Sequence, residues 1–181
     1  MKRVVLVILF LAVACFAEKY SYAQIVNLYK NKEYLKTCEY GATIFRKFDN
    51  TFASIVGDAC AKEDYINVLG DIVKRLNKTK IDRSNASYFA TLILEKKLIY
   101  QFMNDKIDLS GLSLPKTDHI LSRVFEKLAK KQYKIVDKNS MKIKIIDGDY
   151  KYIMWLSPGK LKKVYIDEYK NNELVKRHWF L

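Results

Sequence analysis

Residues 52–76 read FASIVGDACAKEDYINVLGDIVKRL, and their spacing decides what kind of fold the chain builds. Phe52, Ile55, Val56 and Ala59 recur at steps of three and four; after a charged break at Lys62–Asp64, so do Tyr65, Val68, Leu69, Ile72 and Leu76. An α-helix turns once in about 3.6 residues, so each set makes one apolar stripe, and the stretch predicts two helices joined by a short turn. Cys60 lies at the end of the first of them, among Asp58, Lys62, Glu63 and Asp64. Those neighbours raise the question of a reactive thiol, but its place in the apolar phase points to packing.

The same period extends both ways. Ile25, Leu28 and Tyr29, then Tyr34, Leu35, Cys38, Ala42 and Phe45, precede the stretch; Tyr88, Leu92, Leu98 and Phe102 follow it. Polar breaks near Lys30–Lys32, Asp49–Asn50 and Asn77–Asn85 divide residues 20–104 into five helices. Two segments, LYKNKEYLKTCEYGATIF (28–45) and residues 52–76, resemble tetratricopeptide-type (TPR-like) helix-turn-helix units. In the second, Phe52, Ile55, Ala59, Tyr65, Val68 and Ile72 fall where that family places packing residues, while Val56 replaces its usual small residue. The first copy matches through Tyr34, Thr37 and Ile44, and Tyr34 precedes Tyr65 by 31 residues against about 34 in the family.

The resemblance spans about residues 20–80. It implies stacked helix pairs, each covering its apolar stripe with the next. It also implies a concave surface lined by the first helix of each pair, from Asn27, Lys30 and Asn31 to Ser54 and Asp58. It brings no catalytic residue with it. Residues 84–105, SNASYFATLILEKKLIYQFMND, read as a third, irregular unit closing the stack.

Beyond a linker, KIDLSGLSLPKTD (106–118), Thr117 or Asp118 is placed to cap a helix running to about Lys131. Ile120, Leu121, Val124, Phe125 and Leu128 share one of its faces. The period then changes to two: MKIKII, YKYIMWL, LKKVYIDEY and ELVKRHWFL read as strands separated by the turn sequences DGD, SPGK and KNN. These make an antiparallel meander of three or four strands, extended by an earlier strand if Tyr133–Val136 joins it. An isolated meander is barely stable, so one face is expected to pack on the 117–131 helix. The expected fold class is α+β: a helical-repeat domain over 18–110, then a helix and small antiparallel meander over 111–181.

The first residues, MKRVVLVILFLAVACFA (1–17), have the basic start, short apolar run and small-residue end of an export signal. Their apolar run is shorter than the about 20 residues a membrane-spanning helix needs. Cleavage after Ala17 would give a soluble periplasmic chain starting at Glu18. Alternatively LAVAC resembles a lipobox with Cys15 as the lipidated, membrane-anchoring residue, although Ala12 departs from that motif.

Charge is unevenly spread: residues 18–110 carry 15 basic and 12 acidic side chains, residues 111–181 carry 16 and 8. For an exported chain this speaks against nucleic acid and for anionic lipid or cell-wall polymer, or else for Lys-rich strand faces that are simply solvated. In the tail, Tyr150, Tyr152, Trp155, Tyr165, Tyr169 and Trp179 interleave with Lys151, Lys160, Lys162, Lys163, Lys176 and Arg177. Lys162, Lys163, Lys176 and Arg177 are the candidate anion-binding residues.

In an oxidising compartment the pair left after export, Cys38 and Cys60, reads either as a disulfide or as two small buried side chains. A catalytic thiol would want a histidine partner, and neither His119 nor His178 carries a local signature. Both histidines stand alone in sequence, Asp147 and Asp149 flank a turn glycine, and Asp167 and Glu168 point to opposite faces of a strand. No metal, cofactor or catalytic motif is expected from these. The expected function is a non-enzymatic, exported adaptor that binds another envelope protein. Polyanion binding by the basic meander is the rival, and an enzyme with an unrecognised site is the third option.

Overall fold

Two capping boxes open helices in the computed structural model, which describes residues 20–181. Ser21 caps α1 (Tyr22–Lys30) with Gln24 answering it, and Thr79 caps α5 (Lys80–Asp105) with Asp82 answering. Between them run α2 (Tyr34–Ile44), α3 (Asn50–Lys62) and a short α4 (Leu69–Val73); α6 spans Ile120–Ala129. The export segment and Cys15 lie outside the described residues.

The helix expected over 65–76 is reduced to a 3-10 turn at Ile66–Val68 and the five residues of α4. Four β-branched residues and Gly70 make that stretch a weak helix former. By contrast α5 begins inside the polar stretch expected to be a break. Its Thr79 box starts it early, and the Asn50 amide donates to Asp82 Oδ2 at 2.8 Å.

Helix α3 packs against α1, α2, α4 and α5. Glycine sets the approach at two points. A Cβ on Gly41 of α2 would sit 2.5 Å from Val56 Cγ2, and one on Gly57 would sit 2.6 Å from the Phe89 ring of α5. Val56 is therefore accommodated by a missing side chain on the opposing helix. One turn from that contact, Cys38 of α2 and Cys60 of α3 are joined as a disulfide, with Cα atoms 4.7 Å apart. Cys60 is fully buried.

The C-terminal part is an antiparallel sheet in the order β1-β2-β3-β4-β5, made of β1 (Lys134–Asp137), β2 (Lys142–Asp147), β3 (Tyr150–Leu156), β4 (Val164–Lys170) and β5 (Glu173–Phe180). The β4–β5 turn puts both Asn171 (φ 51°) and Asn172 (φ 69°) in the left-handed region, which asparagine tolerates. Ile143, Ile145, Tyr152, Met154, Val164, Ile166 and Phe180 are buried on one face. Both α5 and α6 reach that face. α5 packs on β3, Lys127 of α6 pairs with Asp147 at 2.8 Å, and Arg123 lies over the Tyr150 ring. Buried residues from α1 through β5 form one hydrophobic cluster, so the fold is α+β with its sheet built into the helical core. No helix of the described residues is long and apolar enough to cross a membrane.

Candidate functional site

Helices α1, α3 and α5 enclose an open groove of about 740 Å³. α1 supplies Tyr29; α3 supplies Asn50, Thr51, Ser54, Ile55 and Asp58; the first turns of α5 supply Ile81, Asp82 and Asn85. Its walls are braced from within. Asn50 donates to Arg75 O at 3.1 Å, Arg75 to Phe48 O at 2.7 Å and the Tyr29 hydroxyl to Asp58 Oδ2 at 2.7 Å. Hydrogen bonds from Asn50 and Thr79 hold the Asp82 carboxyl below the usual carboxylate range. Ile81, by contrast, is 72% exposed within the groove.

Ser54 and Asp58 line this groove, but Asn27, Lys30 and Asn31 do not. On α1 the buried face is set by Ile25. Tyr29, four residues on, shares that side, while Asn27 and Lys30 are turned to solvent by the 100° step per residue. Asn31 is the C-cap, its N–H given to Asn27 O.

A second, smaller cleft of about 250 Å³ lies where the end of α3, the start of α6 and the inner face of β4–β5 meet. It is lined by Asp58, Lys62, Tyr88, Asp118, His119, Arg123, Glu168 and His178. Behind it sits Asp64, 5% exposed and held at φ 67° in the turn after α3. Its carboxylate faces His178 Nδ1 at 2.9 and 3.0 Å, Lys176 Nζ at 3.6 Å and His119 Nε2 at 3.9 Å. The histidines that stand alone in sequence are thus brought together, on a carboxylate that no spacing rule selects.

Every member of this cluster has work to do in the fold. His119, not Thr117 or Asp118, caps α6: its Nδ1 accepts from Leu121 N at 3.2 Å. Its Nε2 then donates to Ala61 O at 3.1 Å, so both ring nitrogens are used by main chain and the neutral ring is the form that fits. Burial, the largest influence, pushes its pKa down from the ordinary histidine value. Thr117 instead bonds Ser122 through its N–H and hydroxyl. His178 is bracketed, with Glu168 3.5 Å from Nε2 on the side away from Asp64. Lys176 donates to Lys62 O at 2.7 Å, and buried Lys96 of α5 donates to Asn67 and to Leu181 O. A histidine on a carboxylate is the core of many general-base sites, but no serine, threonine or cysteine lines this cleft.

The outer face of the sheet carries part of the tail's aromatic and basic set, while Tyr150, Tyr152 and Lys176 face inward. Trp155, Tyr165 and Trp179 are cross-strand neighbours in one row, the first two rings stacked with centroids 4.3 Å apart. Lys163 lies 4.2 Å over Trp179, Lys151 4.5 Å over Tyr169 and Arg177 5.5 Å over Trp155. Arg177 also makes a two-pronged bond to Asp167, at 2.6 and 3.0 Å. The three lysines and one arginine singled out in sequence do not form one patch. Strand alternation sends Lys176 to the inner side, onto Asp64, and Arg177 to the outer face; Lys162 and Lys163 both lie in the loop before β4, from which Lys163 reaches over the Trp179 ring.

Asp167 and Glu168 do point to opposite faces, one to Arg177 and the other to His178. Among the described residues no group of three or more His, Cys, Asp or Glu side chains is arranged to hold a metal ion. No known protein family, curated protein or solved structure matches the chain.

Proposed function

We propose that the protein is an exported adaptor, periplasmic or, if lipidated at Cys15, membrane-anchored, which holds a segment of another envelope protein in the groove between α1, α3 and α5. One observation carries this: the groove of about 740 Å³ is an open trough walled by α1, α3 and α5, with Ile81 exposed in it. Such a surface is what stacked, degenerate tetratricopeptide-like pairs offer to a partner chain. Grooves that take a peptide bury apolar anchors and bond the rest through small polar groups, here Ile55 and Ile81 beside Thr51, Ser54 and Asn85.

Ile81→Glu puts a charge in the groove while touching no buried contact. In a pull-down from native membranes, the wild-type chain should recover a reproducible protein partner and Ile81→Glu should lose at least tenfold of it. Equal recovery by both would contradict the groove as the site.

A second reading rests on the Trp155–Tyr165–Trp179 row with its overlying cations, a flat face suited to an anionic envelope polymer or lipid headgroup. Binding there should weaken steeply between low and physiological salt and fall with Lys163→Glu, whereas groove binding should depend little on salt.

A further inference from the structure

Glu95 sits on the buried stripe of α5, only 1% exposed. Its Oε1 accepts from Ser122 Oγ at 2.6 Å, but among the described residues Oε2 has no hydrogen-bond partner. A buried carboxylate oxygen left unpaired is among the more expensive features a fold can carry. Glu95 also lines a cavity of about 380 Å³ between α5, α6 and the 111–116 segment, a size typical of small-molecule sites. Leu112, Leu114, Pro115, Phe125 and Ala129 make its walls apolar.

At the mouth the charges compensate one another: Glu126 pairs with Lys116 at 3.0 Å and Lys130 at 2.5 Å, which hold its carboxyl down at about 2. Tyr88, two turns earlier on α5, is the other ionisable neighbour; it gives its hydroxyl proton to Asp118. Among the described residues, Glu95 is therefore the one acid lining the cavity without a counter-charge.

We propose that this cavity binds a small amine, its ammonium paired with the Glu95 carboxylate after a small turn of the carboxyl brings the enclosed Oε2 to the cavity, and its apolar body against Phe125 and Leu114. An ammonium supplies both the missing donor and the missing charge, and hydrocarbon fits the remaining walls. Ser122 fixes the carboxylate for this. Its hydroxyl donates to Glu95 while accepting from Thr117 N–H, so the carboxylate, the loop and α6 are tied at one atom. Burial raises the Glu95 carboxyl to about 7, with the Ser122 bond opposing it. An alkylamine stays protonated well above that, so binding should strengthen as pH rises through the Glu95 titration and should release a proton below it.

The test is calorimetry on the intact protein with three probes that share a phenylethyl body: phenethylamine, 2-phenylethanol and hydrocinnamate. At pH 8 the amine should bind at least tenfold more tightly than the alcohol or the acid, with that preference shrinking at pH 5.5 and vanishing in Glu95→Gln. The carboxyl-carbon resonance of Glu95 in the wild-type chain provides a readout that needs no variant, and its pKa should fall when the amine is added. Equal affinity of amine and alcohol, tighter binding of the acid, an unmoved Glu95 resonance, or no probe binding tighter than about 10 mM would each overturn the proposal.

Discussion

Asp64 and Glu95 are both almost wholly buried carboxylates, yet the molecule treats them differently. Around Asp64 stand His178, Lys176 and His119, contributed by β5 and the start of α6, so its charge joins the sheet to the helices. Around Glu95 there is one hydroxyl and an apolar cavity. A buried charge whose neighbours all use it is part of the architecture. One with an unused oxygen beside a cavity is a place for something else to bind.

That contrast can be broken most forcefully at Asp64. Asparagine keeps the left-handed backbone but removes the charge, stranding His178 and Lys176. Asp64→Asn should cost about 3–5 kcal/mol in denaturant unfolding. Pairing it with His178→Gln should cost less than the sum, with a coupling of about 1–3 kcal/mol. Strict additivity would mean that the junction is not a unit.

For scale, Cys38→Ser with Cys60→Ser opens a loop of sequence separation 22 and should cost about 3 kcal/mol. Protein from the native compartment should also gain two mass units on reduction.

Glu95→Gln should behave in the opposite way. Because folding raises this carboxyl to about 7, the native state holds a proton that the unfolded chain has already released. Stability should therefore be highest below the unfolded carboxylate pKa and fall as pH climbs toward 7, levelling off above it. The glutamine variant should lose that slope and be no less stable than wild type at pH 8. A marked loss of stability at pH 8 would place Glu95 with Asp64 as architecture. Smallest of all, Ile81→Glu should change stability by no more than about 0.5 kcal/mol, while acting on partner recovery.

What the sequence made legible was whatever repeats. Steps of three and four marked the helices, steps of two marked the strands, and KNN marked a turn whose two asparagines adopt positive φ. The sites were harder because they are built from residues distant in the chain. Asp64 meets His178 across 114 positions, and nothing in KED at 62–64 distinguishes one acid from the next. Lys176 and Arg177 looked equivalent as neighbouring cations until strand alternation sent them to opposite faces.

Glu95 did leave a signal. It stands three residues after Leu92 and four before Ile99, in phase with buried Phe102, so a charge falls on the apolar stripe of α5. The groove was half legible. Its α3 wall was among the positions the tetratricopeptide resemblance implied, through Ser54 and Asp58, while its α1 wall turned on which side of Ile25 faces inward.

The groove is best tested by placing a photo-crosslinking side chain at position 81 and irradiating cells that make the protein naturally. A discrete protein adduct, absent when the probe is moved to exposed Lys30 on the solvent side of α1, is the predicted result. Adducts of equal yield from both positions, or none from position 81, would contradict it.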